Sequence, residues 1–172
     1  MDRLIIGNVI ALVGCVLMVI AGFLKKKKHI LLVQCFQFGF LGLSNLVLGA
    51  ITGCVAGVIS AVRNIVFSKV KTSIWLKIVI MVVQVLLGFI PLFTGGGMKF
   101  IDYFPTVSTA TFTWFIDLKS EVALKVVLML TLVLWVVYDL CYQNYVSLAF
   151  DVFAIVSNFV GIIMIRKAKA KA

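Results

Sequence analysis

The chain has 172 residues, of which 63% are hydrophobic and only 13% are charged, and its mean hydropathy is +1.21. A soluble domain usually has about a quarter of its residues charged, so this composition excludes an ordinary soluble protein and indicates a polytopic membrane protein. The net charge of +10 does not indicate a nucleic-acid partner, because the basic residues lie in short clusters between apolar runs, as in membrane loops.

Seven apolar runs can be drawn along the chain, each about long enough to cross the ~30 Å hydrocarbon core of a bilayer. They cover residues 4–24, 30–48, 50–68, 74–93, 100–117, 123–141 and 146–165. Because the connections are very short, sequential helices are expected to be antiparallel neighbours. The pattern predicts an all-α integral membrane protein with seven transmembrane helices in a single domain, residues 1–172.

The ends of the chain and its middle carry further signals. The first run is followed directly by Lys25–Lys28, whereas a signal peptide has a shorter apolar segment and its charges in front, so we predict a retained helix. Residues 94–97, Thr-Gly-Gly-Gly, are predicted to form a flexible connection. Pro105, a few residues into the fifth run, is predicted to kink or loosen that helix.

The distribution of basic residues predicts the orientation in the membrane. Fourteen of the sixteen lysines and arginines lie at or near alternate connections or in the C-terminal tail, and only Arg3 and Lys99 fall on the other side. The positive-inside rule then places the N-terminus outside and residues 166–172 in the cytoplasm as a basic tail.

A weak internal repeat with an offset of 94 residues (158 − 64) relates the two halves of the chain. Polar residues meet polar residues at this offset: Asn8 and Asp102, Asn45 and Asp139, and Asn64 and Asn158. The repeat predicts three helices over 4–68, a linker helix over 74–93, and three helices again over 100–165. The two copies would point the same way across the bilayer, a parallel 3+1+3 arrangement.

Two intramembrane asparagines and one tryptophan are candidates for solute contact. Asn64 and Asn158 either line a solute site or form hydrogen bonds between helices, since an amide in hydrocarbon needs a partner. Trp135 lies on the same helix face as Tyr138 and is deeper than an interfacial anchor should be. Its ring could therefore line a cavity and stack on a sugar or base.

Charged residues within the runs leave alternatives open. Arg63 is expected to reach the cytoplasmic interface by snorkelling, the alternative being a gate or an anion contact. Asp151 is either a proton-coupling carboxylate or exposed at the outer interface, and exposure is favoured for Asp139.

Other polar and small residues favour structural roles. Gln34, Gln37 and Gln84 are expected to join helices by hydrogen bonds, and a further set of residues supplies surfaces for close helix packing: Gly39, Gly42, Gly53 and Gly57. The four cysteines have no paired spacing and the one histidine, His29, follows a lysine run, so neither a disulfide nor a metal site is expected. Nothing in the sequence indicates an enzyme or a cofactor.

Several short segments are similar to the YgjV family of bacterial inner-membrane proteins. They are Ser60-Ala61-Val62-Arg63-Asn64, Leu134-Trp135-Val136-Val137-Tyr138-Asp139, Ile155-Val156-Ser157-Asn158 and Ile165-Arg166-Lys167. The layout also resembles the SWEET, PQ-loop and PnuC group of small transporters. In SWEET-type transporters an asparagine on the third helix faces one on the seventh across the substrate pocket, which this resemblance carries to Asn64 and Asn158. The chain lacks the Pro-Gln pair, because Pro105 precedes a threonine and its first-half counterpart is Ala11.

The sequence thus predicts a transporter or facilitator of a small polar, sugar- or nucleoside-like solute, with its site between the two repeats. The site would be lined by Asn64, Asn158, Trp135 and Arg63, with Asp151 as the proton-coupling candidate. The alternative is a non-transporting structural or accessory membrane protein with a packed bundle. The expected partners are the lipid bilayer, the solute and a possible second copy in a homodimer.

Overall fold

A computed structural model describes residues 2–23, 27–70, 73–90, 98–118 and 120–171. Lys25 and Lys26 of the predicted lysine cluster lie outside the described residues, and so does the flexible connection predicted for residues 94–97.

Seven α-helices form in the described part of the chain, as predicted. In chain order, α1 to α7 and a 3₁₀ helix preceding α5 have these bounds: α1 Arg3–Phe23, α2 Lys27–Leu48, α3 Ile51–Lys69, α4 Ile74–Gly88, 3₁₀ helix Phe100–Tyr103, α5 Phe104–Phe115, α6 Glu121–Cys141 and α7 Tyr145–Lys171. The described residues contain no strand. Helices α4 and α6 are capped by Ser73 and Ser120, whose hydroxyls each accept a backbone N–H of the first turn.

The helices are arranged for a lipid surrounding. Four segments are long and apolar enough to cross a membrane: Arg3–Ile20, Ile51–Lys69, Val122–Cys141 and Tyr145–Lys167. Shorter apolar helices cover Leu32–Leu48 and Ile74–Gly88. Among the described residues, seventeen polar or charged side chains are buried, compared with eight hydrophobic ones. Large apolar side chains cover the outside of the bundle. This distribution is the reverse of a soluble core and fits a protein whose solvent is hydrocarbon.

The fourth and fifth helices differ from their predicted bounds. Helix α4 ends at Gly88 rather than at residue 93. The fifth run divides into the 3₁₀ helix and α5, with Pro105 in the first turn of α5. The fifth run is interrupted next to Pro105, in line with the prediction of a kinked or loosened helix, but Pro105 lies at the start of α5 rather than bending it, because a first-turn residue has no intrahelical partner for its N–H.

Sequential helices pack closely and antiparallel. The hydroxyl of Ser44, near the end of α2, donates to the carbonyl of Gly7, near the start of α1, at 2.7 Å. A Cβ at Gly42 would lie 3.3 Å from the Cys54 carbonyl, and one at Gly57 would lie 2.9 Å from the Phe38 carbonyl. The predicted close-packing role is confirmed for these glycines.

The other two glycines of that set have different surroundings. A Cβ at Gly53 would lie 2.8 Å from the ring of Tyr138, so Gly53 is also required to be small. At Gly39 a Cβ would have no neighbour within 4 Å, and its predicted packing role is wrong.

Two turns with the same geometry lie 94 residues apart (143 − 49). Gly49 has a φ of +83° and Gln143 a φ of +58°, and these are the residues with positive φ among those described. The backbone amide of Ala50 donates to the backbone carbonyl of Asn45 at 2.8 Å, and that of Asn144 donates to the backbone carbonyl of Asp139 at 2.9 Å. Each turn therefore ends one helix and starts the next, α2 to α3 and α6 to α7, in the same way.

We expect opposite effects from adding one methyl group at two glycines of the α2–α3 pair. Gly57→Ala should lower the thermal midpoint in detergent by the equivalent of about 1–3 kcal/mol, because the new Cβ meets backbone atoms that cannot move aside. Gly39→Ala has open space, so the gain in helix propensity, up to about 1 kcal/mol, should leave stability equal or higher. Equal melting of the two variants would contradict the close approach at Gly57.

Candidate functional site

A cavity of about 320 Å³ lies at the centre of the bundle. Its lining residues come from α1, α2 and α3 on one hand and from α5, α6 and α7 on the other, while the described residues of α4 contribute none. A volume of this order suits a small solute rather than a peptide or a lipid chain.

The cavity wall carries polar atoms that the protein itself leaves without hydrogen bonds. Five buried side-chain oxygens among the described residues have no partner in the protein, and four belong to residues that line the cavity: Gln37 Oε1, Ser60 Oγ, Asp139 Oδ1 and Ser147 Oγ. Buried polar atoms are nearly always satisfied in folded proteins, and each one without a partner costs about 1–3 kcal/mol. Their concentration on one surface marks that surface as a place for polar ligand atoms or water.

Arg63 projects into this cavity and not toward the membrane interface. Its side chain is 2% exposed; Nη1 donates to Thr113 Oγ1 at 3.1 Å and Nε donates to Asn64 Oδ1 at 3.3 Å. The guanidinium carbon also lies 5.0 Å from the ring centroid of Phe112 and 6.0 Å from that of Phe38. The predicted snorkelling is therefore wrong. In the described part of the chain, no carboxylate lies within ion-pair distance of this cation.

The two predicted asparagines have different surroundings. Asn64 does not line the cavity; its Nδ2 donates to Gln34 Oε1 at 3.2 Å, and its Oδ1 accepts from Arg63. Asn64 therefore joins α3 to α2 and positions Arg63, which corresponds to the interhelical alternative. Asn158 lines the cavity, donates to the Ala154 carbonyl at 2.9 Å and accepts from Lys125 Nζ at 3.4 Å.

Trp135 lines the cavity, and the neighbouring Tyr138 fixes the wall behind it. The two rings meet edge to face with centroids 5.7 Å apart. The Tyr138 hydroxyl accepts the amide of Gly53 at 2.8 Å and shares a hydrogen bond with Thr52 at 2.9 Å. Tyr138 thus closes the first turn of α3 from α6, a structural role that the sequence analysis missed.

Two carboxylates lie at the end of the cavity where α6 ends and α7 begins. Asp151 and Asp139 both line it, and Asp139 is 1% exposed. The predicted exposure of Asp139 at an interface is wrong, because the turn at Gln143 folds the end of α6 back against α7. Cys15 of α1 lines the same end. The described side chains include no cluster of three or more His, Cys, Asp or Glu suited to a metal ion.

The sequence analysis undervalued two of its three glutamines. Gln84 joins α4 to α5 as predicted, since its Nε2 donates to the Thr106 carbonyl at 3.0 Å. Gln34 joins α2 to α3 as predicted, because it accepts from Asn64, but it also lines the cavity, and so does Gln37. Their counterparts at the 94-residue offset, Leu128 and Thr131, line the cavity as well, although no pattern in the sequence marked these positions.

Polar contacts bind the helices together at both ends of the bundle. Near the turns at Gly49 and Gln143, the Tyr142 hydroxyl donates to Asp102, and the amide of Lys99 donates to the same carboxylate at 2.8 Å. Burial, together with this carboxylate, raises the pKa of Tyr142, so the phenol stays protonated and donates.

At the opposite end, Lys77 of α4 reaches the turn after α5. Its Nζ lies 2.6 Å from Asp117 Oδ1 and donates to the Trp114 carbonyl at 3.1 Å. The hydrogen bond from Lys77 lowers the pKa of Asp117, which stays ionised at neutral pH.

Comparison with known proteins identifies the family. The sequence profile of the Imp-YgjV family, described as bacterial inner membrane protein, matches residues 5–169, nearly the whole chain. The chain belongs to the Imp-YgjV family. No match was found among curated proteins or among solved structures. Membership of Imp-YgjV confirms the predicted family and, with the apolar helices, the predicted location in a bacterial inner membrane.

Replacing each of two buried cations with methionine should change the stability of this Imp-YgjV protein in opposite directions. Arg63→Met removes a buried charge that has no carboxylate partner, and we expect a higher thermal midpoint, by the equivalent of about 1 kcal/mol or more. Lys77→Met breaks an ion pair and leaves the Trp114 carbonyl without its donor, so the thermal midpoint should fall by the equivalent of about 1 kcal/mol. A large loss of stability in Arg63→Met would show that the cation is a structural element.

Proposed function

We propose that this protein is a multi-pass inner-membrane transporter or facilitator of a small polar solute, which binds in the central cavity. The observation that carries the proposal is the set of buried oxygens without protein partners on the cavity wall, from Gln37, Ser60, Asp139 and Ser147. A bundle whose only task is packing would gain stability by burying apolar groups there or by pairing these atoms. A solute or water that enters the cavity satisfies them instead. The proposal includes no catalytic step.

The proposal includes seven spans, arranged as two parallel three-helix repeats around a linker helix, with the N-terminus outside. Two observations support the repeat. The turns at Gly49 and Gln143 share their dihedral angles and hydrogen bonds at the 94-residue offset. Eighteen of the 23 cavity-lining residues also form pairs at that offset, such as Gly57 with Asp151. An axis through the cavity along the membrane normal would relate the copies, as in transporters built from parallel repeats.

Asp151 is the proposed proton-coupling residue. It lines the cavity six residues into α7, facing Asp139 from α6 and Cys15 from α1, with Arg63 farther along the cavity. A carboxylate in such a position can take up and release a proton as the solute enters and leaves.

If Asp151 couples transport to protons, Asp151→Asn should abolish uptake driven by an imposed proton gradient in proteoliposomes. Exchange of labelled for unlabelled solute at equal pH should continue when the solute concentration is raised to offset weaker binding. Asp117→Asn removes a carboxylate that does not line the cavity and should leave gradient-driven uptake within about twofold of the parent protein. Gradient-driven uptake that persists in Asp151→Asn would exclude this residue as the coupling site.

A second candidate function is that of a structural or accessory membrane protein. The hydrogen bonds of Asn64 to Gln34 and of Asn158 to Lys125 favour it, because both amides already have partners in the protein. The two candidates differ in whether water reaches the cavity.

Thiol labelling at two matched serines separates these candidates. Both are almost fully buried, but Ser60 lines the cavity without a hydrogen bond, whereas Ser44 lies between helices and donates to Gly7. The variants Ser60→Cys and Ser44→Cys are made in a background from which the native cysteines have been removed: Cys15, Cys35, Cys54 and Cys141.

With a membrane-impermeant thiol reagent, we expect Ser60→Cys to be labelled at least about tenfold faster than Ser44→Cys, because a water path serves only the cavity. Lys171→Cys in the tail reports that the reagent is active. Equal, negligible labelling of the two serine positions in folded protein would favour the structural candidate.

A further inference from the structure

The charges on the cavity wall are unlike in sign and are held apart. At one end, Arg63 uses Nε and Nη1 to bond Asn64 and Thr113. A guanidinium has five N–H donors, so three of them remain for another acceptor. Thr113 lies two residues before the end of α5, and this contact holds the guanidinium toward that end of the helix.

The two carboxyl groups of the cavity wall lie toward the other end. The turn at Gln143 joins α6 to α7. Of the two carboxylates that line the cavity, Asp139 lies before this turn and Asp151 lies after it. One oxygen of Asp139 has no partner in the protein, although its side chain is 1% exposed. An unpartnered, deeply buried carboxylate oxygen on a cavity wall is a site for a hydrogen-bond donor.

The separation of the two ends can be read from the helices. Helices α3 and α7 begin at the same end of the bundle. Thr52, at the start of α3, bonds Tyr138 near the C-terminal end of α6, and Asn144, just before α7, bonds Asn45 near the C-terminal end of α2. Arg63 is twelve residues after the start of α3 and Asp151 six after the start of α7. Their backbones therefore differ in depth by about 9 Å, and the described charges do not form an ion pair.

We propose that the solute is a zwitterion, an amino-carboxylate with several carbon atoms between its two charges. Its carboxylate would bind the free N–H groups of Arg63, and its ammonium would lie between Asp139 and Asp151. This inference rests on the proposed function and names the substrate class of that same cavity. Phe112, which lies against the guanidinium, and Trp135 supply apolar surface for the carbon chain.

Charge complementarity separates this class from the others. A neutral sugar leaves the buried Arg63 cation without a counter-charge, which is costly where the dielectric constant is low, and it offers no cation to the two carboxyl groups. A dicarboxylate brings a second negative charge to the two aspartates, and a diamine brings a second positive charge to Arg63. Only a solute with unlike ends offers each end of the cavity its opposite charge.

The test uses ligand-induced thermal stabilisation of the full-length protein in detergent, with solutes of matched chain length. The panel is 5-aminopentanoate, pentanoate, pentylamine, glutarate and glucose. We expect 5-aminopentanoate to raise the thermal midpoint at concentrations at which the others produce no shift, because a ligand at free concentration L stabilises the folded state by RT ln(1 + L/Kd) and 5-aminopentanoate should have the lowest Kd. Stabilisation by pentanoate equal to that by 5-aminopentanoate would overturn the role of the aspartates.

Variants test both ends of the cavity independently. Arg63→Gln and Asp151→Asn should each weaken binding of 5-aminopentanoate at least tenfold. The paired control is Lys77→Gln with Asp117→Asn, a charge pair that does not line the cavity, and it should bind as the parent does. Should one site variant fail to fold, the other and the solute panel still decide the question. Unchanged binding in either folded variant would overturn the proposal.

Two failures remain distinguishable. If glucose stabilises the protein and 5-aminopentanoate does not, while Ser60→Cys is labelled, the zwitterion is wrong and the solute-binding cavity stands. If no solute stabilises it and Ser60→Cys is labelled no faster than Ser44→Cys, the proposed function itself fails.

Discussion

The helices of this protein are constrained by the need to keep polar side chains out of hydrocarbon. A polar atom facing lipid cannot be hydrated, so it must find a partner inside the bundle. The seventeen buried polar or charged side chains among the described residues show how the constraint is met, through contacts such as Ser44 with Gly7 and Lys77 with Asp117. The central cavity is the main exception, because four of the five buried oxygens without a partner among these residues lie on its wall.

The oxygens without partners lie on the same cavity wall as Arg63, Asp139 and Asp151. Arg63 and Asp139 are both almost fully buried, and neither is neutralised by the other. Such an arrangement is costly in stability, and costs of this kind are typical of sites whose groups are held for a ligand rather than for the fold. Asn64 adds to this picture, because it positions the guanidinium from the adjacent residue without reaching the cavity itself.

The helices could be predicted from the sequence because run length and hydrophobicity decide them. The fourth and fifth helices were the exceptions, since α4 ends at Gly88 and the fifth begins next to Pro105 after a 3₁₀ turn. Four site residues named from the sequence, Arg63, Trp135, Asp151 and Asn158, do line the cavity. Depth within the apolar run singled out Trp135 and Asp151, and the internal repeat singled out Asn158.

Arg63 and Asn64 show what the sequence could not supply. Adjacent residues on a helix point about 100° apart, so only one of the two can face the centre, and helix packing decides which. Hydropathy placed Arg63 near the interface by depth alone, whereas its contacts with Thr113 and Phe112 turn it inward. Asp139 was mispredicted for a related reason, since the fold of the turn at Gln143 is not visible in composition. The membrane orientation stays a prediction.

The contacts of α4 have a mechanical consequence. Lys77 near the start of α4 and Gln84 near its end both bond α5 or the turn that follows it, so this helix is fastened to its neighbour at two points along its length. These two contacts oppose both sliding and rotation of α4 against α5, and the two helices therefore form one rigid unit. Any rocking of the helices about the cavity would therefore move α4 and α5 together.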